Sequence, residues 1–162
     1  MAEPSTVLFA NQSICVVTQE LIDRLKKIAQ KASLKRSRFC LHLSHEDAVQ
    51  EMVIVLHKDS YIRPHRHQNK SESFHMIEGA VLIAFFDEGG EVKQTLELKA
   101  GKDPFLYRLS IPSWHTVIPL TEFAIFHEVS TGPFGPSEFP SWEPENTPEA
   151  IASFKQGIME RT

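Results

Sequence analysis

From Phe39 to Ser130 the chain reads as a series of short apolar or alternating runs: "RFCLHL", "EMVIVLH", "SYIRPHRH", "SFHMI", "AVLIAFF", "VKQTLEL", "PFLYRLS", "WHTVIPL" and "FAIFHEVS". Turn signals such as "KDS", "EG", "DEGGE", "AGKD" and "LTE" cut them at regular intervals. Many short strands with such punctuation predict an all-β sandwich or barrel. No helical stretches alternate with the strands, which argues against a βαβ arrangement. At 162 residues the chain fits one domain and buries enough surface to need no staples.

The flanks read differently. Residues 18–31, "TQELIDRLKKIAQK", place Leu21, Ile22, Leu25, Ile28 and Ala29 at helical spacing, with Thr18 positioned to cap. The basic "ASLKRSR" that follows is read as a solvated linker; the alternative is anion binding by Lys35, Arg36 or Arg38 near an active-site mouth. After Ser130, "TGPFGPSEFPSWEPENTPEA" holds Pro133, Pro136, Pro140, Pro144 and Pro148, and should run over the surface anchored by Phe134, Phe139 and Trp142. Thr147-Pro148-Glu149 opens a second helix, Thr as N-cap and Pro in the first turn. Its stripe is Ala150, Ile151, Phe154, Ile158 and Met159, with Gly157 weakening it. The expected organisation is a single domain: an N-terminal helical extension over 1–38, a barrel over 39–130, and a Pro-rich tail with a C-terminal helix over 131–162.

A net charge of −4 gives no basic excess for nucleic acid or an anionic membrane surface. The N-terminus lacks the basic start and apolar run of a signal peptide, and no stretch approaches the ~20 apolar residues of a membrane span. A cytoplasmic protein is expected. Cys15 and Cys40, in "SICVV" and "RFCLHL", are read as buried free thiols.

The chemistry concentrates in "RPHRHQNKSESFHMIEGA", from Arg63 to Ala80. Read as strand, turn, strand, the stretch points His65 and His67 to one side, reverses at "QNKS", and brings Glu72 beside them. Gly79 then supplies a second tight turn. In "IPSWHTVIP", His115 opens a later strand and can add a fourth ligand. Imidazoles with one carboxylate suit Fe, Mn, Co, Ni, Cu or Zn rather than Ca or Mg. Parity sends Phe74 and Met76 inward with Glu72, and His75 outward. His42, His45, His57 and His127 lack ligand spacing; among them His127 is the candidate to line a pocket.

These residues resemble a known superfamily. H-x-H-x4-E-x6-G, as His65, His67, Glu72 and Gly79, looks like the first cupin motif. Pro112 and His115 resemble part of the second, although its middle glycine is missing and position 119 is proline rather than asparagine. With "KRSRFCLH", "VQEMVIVL", "FFDEGGEV", "WHTVIP" and "EVSTGPF", the chain resembles the WbuC-type cupin-fold metalloproteins over about residues 34–145. The resemblance implies a double-stranded β-helix, or jelly-roll, barrel with one divalent transition metal, and a connection to surface-polysaccharide metabolism. The protein is then a metal-dependent enzyme on a small polar substrate such as a sugar or sugar nucleotide, working by isomerisation, epimerisation or oxygenation. The alternative is a metal- or carbohydrate-binding module without turnover. Tyr61, Tyr107 and His127 are the candidate proton-transfer groups, and Arg63 the candidate contact for an anionic substrate. The fold resemblance also implies a homodimer.

Overall fold

The computed structural model describes residues 5–161; the signal-peptide reading falls partly on the first four residues, outside the described ones. The elements are β1 (Val7–Phe9), α1 (Gln19–Lys31), β2 (Arg36–Cys40), β3 (Val49–His57), β4 (Glu72–Glu78), β5 (Ala80–Phe86), β6 (Val92–Lys99), β7 (Leu106–Leu109), β8 (Trp114–Pro119), β9 (Phe123–Thr131) and α2 (Pro148–Met159). They form a six-stranded sheet in the order β1-β2-β3-β9-β4-β7 and a three-stranded sheet in the order β6-β5-β8. Every pairing is antiparallel except β1 with β2. Non-consecutive neighbours, β9 between β3 and β4 and β8 beside β5, make this a jelly roll.

Three apolar layers hold it together. Between the sheets, Leu56, Phe74, Met76 and Phe126 meet Val81, Ile83, Leu98 and Val117. On the outer face of the large sheet, α1 lays Ile22, Leu25 and Ala29 against Val53, Val55 and Ile125. Thr18 caps that helix by accepting from the Leu21 N–H at 3.3 Å. On the outer face of the small sheet, Ile158 of α2 packs on Leu82, Ala84, Phe86, Trp114 and Ile118, with Trp142 and Phe154 alongside. This two-sided cover explains why "AVLIAFF" is apolar at every position rather than alternating.

Two local expectations need correction. Arg36 and Arg38 lie on strand β2, not in a linker: the preceding turn places Lys35 at φ 55°, and the chain then pairs with β3 from Arg36↔Leu56. The "SYIRPHRH" run forms no strand of its own. Pro64 cannot donate to a ladder, and only His65 and Arg66 make isolated bridges, to His115 and Glu138. Cys15 and Cys40 are both free, but only Cys40 is buried. Among the described residues no helix is long and apolar enough to cross a membrane.

Candidate metal centre

The His65–His115 bridge creates the site. Each residue's N–H donates to the other's carbonyl at 2.9 Å, so a loop residue and the second residue of β8 stand side by side. Their ring centroids are 4.4 Å apart, and His67 lies 5.0 Å from His65 and 6.1 Å from His115. One ring nitrogen from each of the three falls within 4.8 Å of the others, an arrangement able to hold a metal ion.

The ring orientations are set from behind. His65 Nδ1 donates to the Arg63 carbonyl at 2.8 Å, and His115 Nδ1 to the Ser113 carbonyl at 2.9 Å. A carbonyl only accepts, so each neutral ring carries its proton on Nδ1 and keeps a lone pair on Nε2. His67 Nδ1 meets Ser137 Oγ at 3.4 Å. Backbone acceptors behind a histidine commonly fix metal ligands in this way. His115 Nε2 is buried without a hydrogen-bond partner, although Glu72 Oε1 stands 3.0 Å away without the alignment of a bond.

Glu72, at the start of β4 and 4% exposed, faces this cluster. Its Oε2 is 3.7 Å from His67 Nε2, and its Oε1 accepts from the Tyr107 hydroxyl at 3.1 Å. Burial would raise this carboxyl, but the His115 contact and the charges of His115, His67 and His65 carry it down to about 2. Burial, then the charge of His115, pushes His65 down to about 3, and burial lowers His67. Burial lowers His115 too, but the contact with Glu72 and its charge outweigh burial and raise this imidazole, so a metal would displace a proton from His115 while burial already favours the uncharged His65 and His67 it requires. The donor set therefore fits a transition-metal ion.

The cluster opens into a cavity of about 540 Å³ whose wall includes His65, His67, Glu72, Arg38, Phe126 and Glu128. Glu128 was not legible as a site residue. Burial, then the Glu72 charge, pushes its carboxyl up to about 8. The available signal was strand parity: Ala124 and Phe126 pack between the sheets while Ile125 packs under α1, so Glu128 shares the inner face. The same parity corrects His127. It lies on the outer face, paired across to His75 and Val53, with Nε2 3.5 Å from Glu51. Tyr61 is not among the residues lining the cavity; its buried hydroxyl has no partner among the described residues, and burial, then Glu143, pushes it up to about 12. Tyr107 holds Glu72. Arg63 reaches the cavity rim, but its Nε donates to Glu143 Oε2 at 2.8 Å and its guanidinium stacks 3.7 Å over Phe139. Phe74 and Met76 are buried in the core and His75 is exposed, as parity required.

Two facing sheets with this crossing order define a jelly roll, and its three-histidine cluster is a site able to hold a metal. The family described as a domain of unknown function (DUF6016) matches residues 17–98, and the chain belongs to it. That span runs from α1 into β6 and includes His65, His67, Glu72 and Gly79. No curated protein matches the sequence. Solved structures it resembles include oxalate decarboxylase from Bacillus subtilis, at 17% identity and a TM-score of 0.48, over 57% of this chain and 24% of that one. Lactobacillus farciminis oxalate decarboxylase in its formate complex matches at 17% identity and 0.47, over 57% and 27%. Peruvianin-I, a cysteine peptidase from Thevetia peruviana latex, matches at 15% identity and 0.47, over 57% and 55%. The chain thus spans about a quarter of each decarboxylase.

Proposed function

We propose that this protein is a metal-dependent cupin enzyme acting on a small polar molecule, with His65, His67, Glu72 and His115 holding one divalent transition metal. The observation that carries the reading is the convergence of the three histidines, two of them with Nδ1 committed to backbone carbonyls so that Nε2 faces the cluster. A metal bound there supplies Lewis-acid polarisation of a carbonyl or hydroxyl and lowers the pKa of bound water. The chain's own groups do the rest. Tyr107 fixes the Glu72 carboxylate, Phe74 and Phe126 give the cavity an apolar wall, and Glu128 carries a proton at neutral pH where a ligand can meet it. The resemblance to WbuC-type cupins makes a sugar or sugar nucleotide of surface-polysaccharide metabolism the proposed substrate, in a cytoplasmic homodimer.

The test is the metal content of protein purified without added metal. About one equivalent per chain is expected, and the His65→Ala/His67→Ala double variant should lose it while keeping the β-sheet circular dichroism. Retention of one metal per chain by the double variant contradicts the assignment. A small-molecule screen followed by thermal shift and by product formation separates enzyme from binding module: stabilisation without conversion identifies a module.

A further inference from the structure

We propose that the cavity holds an oxyanion subsite at Arg38, Arg36 and Lys70, so that the ligand reaching the histidine cluster carries a carboxylate or phosphate group. The proposal deepens the functional reading and rests on it for what lies at the ligand's other end; the subsite itself stands on separate residues.

Strand β2 alternates. Ser37 turns toward α1, where its Oγ donates to the Leu25 carbonyl at 2.8 Å, and Phe39 packs on that same layer. Arg36 and Arg38 therefore project to the inner face, registered beside Leu56 and Ile54 of β3, and both line the cavity. Two guanidinium groups two residues apart on a largely apolar wall repel each other and lose hydration. Burial, then Arg38, lowers Arg36.

Among the described residues none offers them a counter-charge within bonding distance. Neighbouring arginines are paired: Arg63 with Glu143, and Arg66 with both Glu88 and Glu138. Among the described residues neither Arg36 nor Arg38 makes an ion pair or a side-chain hydrogen bond, and Arg38 Nε is buried without a partner. Such a donor costs stability unless something accepts from it. Glu128 lines the same cavity, yet among the described residues it forms no ion pair with either guanidinium. Lys70 lines the same cavity with its ammonium 5.3 Å from the Phe134 ring centre. A guanidinium fork matches the planar oxygens of a carboxylate or phosphate. A cavity of about 540 Å³ suits a small molecule.

The experiment is calorimetric titration of metal-loaded protein with inorganic phosphate and with malonate, beside metal analysis of every sample. At least one anion should bind saturably. Arg38→Gln should weaken it roughly tenfold or more, the usual loss of a charge-assisted hydrogen bond, with metal per chain unchanged. Arg36→Gln should weaken it as well, Arg38→Lys should retain part of the binding, and Arg24→Gln, on the exposed side of α1, should leave it unaltered. Equal affinity in a folded Arg38→Gln variant, or no saturable heat from either anion, overturns the subsite. Wild-type protein that holds no metal yet binds anion through Arg38 supports the subsite and overturns the metal reading, so the two failures are told apart.

Discussion

Tyr107 on β7 donates its hydroxyl proton to Glu72 Oε1 on β4 across 3.1 Å, inside the barrel. The same oxygen stands 3.0 Å from His115 Nε2, and the other carboxylate oxygen faces His67. One phenol thus fixes the rotation of a carboxylate that touches two of the three histidines. Burial, then the Glu72 charge, pushes the Tyr107 hydroxyl well above its ordinary range, so it remains a donor at every working pH.

Tyr107→Phe keeps the ring that packs edge-on against Phe74 at 5.1 Å and deletes only the donor. Metal affinity should fall roughly ten- to hundredfold, the usual effect of removing a group that orients a ligand. Stability should drop by about 1 kcal/mol. Competition with a chelator of known affinity reads the first and urea unfolding the second; unchanged metal affinity would mean Glu72 is oriented without the phenol.

Gly79 joins β4 to β5 at φ 72°, and a Cβ there would meet the Phe123 carbonyl and Thr121 Oγ1. Thr121 Oγ1 in turn accepts from the Ala80 N–H at 3.0 Å. Gly79→Ala must therefore adopt a left-handed conformation and also push backbone aside. A loss of at least ~1–3 kcal/mol in urea unfolding is expected. A loss below ~0.5 kcal/mol would show that the turn relaxes freely.

Much of this was readable from residue spacing. Thr18 and the apolar stripe from Leu21 to Ala29 specify α1 by themselves, because capping and burial act locally. The parity of β4 placed Glu72, Phe74 and Met76 correctly, since one sheet face is buried. His115 does open a later strand, but His65 and His67 reach it from a loop rather than from one strand of a hairpin. Long-range pairing of that kind leaves no local periodicity. For the same reason the three-residue β1, parallel to β2, could not be seen. Arg36 and Arg38 looked like linker because charged residues ordinarily face water; on β2 the alternation that buries Ser37 turns both arginines inward.

Glu128 gives a pH signature. Its carboxyl titrates at about 8 in the folded protein against an ordinary 4.5, because burial and then Glu72 disfavour the charge. Between those values the unfolded chain releases the proton and the folded chain keeps it. This residue's stabilising contribution is therefore full below pH 4.5 and lost as pH rises toward 8. Glu128→Gln, neutral throughout, should unfold at higher urea than wild type at pH 8, with the gap closing toward pH 4.5. Parallel urea midpoints across that range would show that Glu128 ionises normally.

The Pro-rich tail is held at the cavity mouth by contacts that compete with the role expected for Arg63. Arg63 donates to both Glu143 oxygens and stacks on Phe139. Arg66 bonds Glu138 at 2.9 Å and lies 4.1 Å over Trp114, while Trp142 donates to the Glu88 carbonyl at 3.1 Å. Arg63 thus reads as a clasp for residues 134–143. The Arg63 side chain is 49% exposed, so its ion pair contributes little to global stability and Arg63→Ala should cost no more than ~1 kcal/mol. Its effect should instead be local: faster amide hydrogen exchange through the tail, with metal content and the exchange of β4 and β9 unchanged. Should the tail stay protected while phosphate or malonate binding falls, Arg63 belongs with Arg38 as an anion contact and the clasp reading fails.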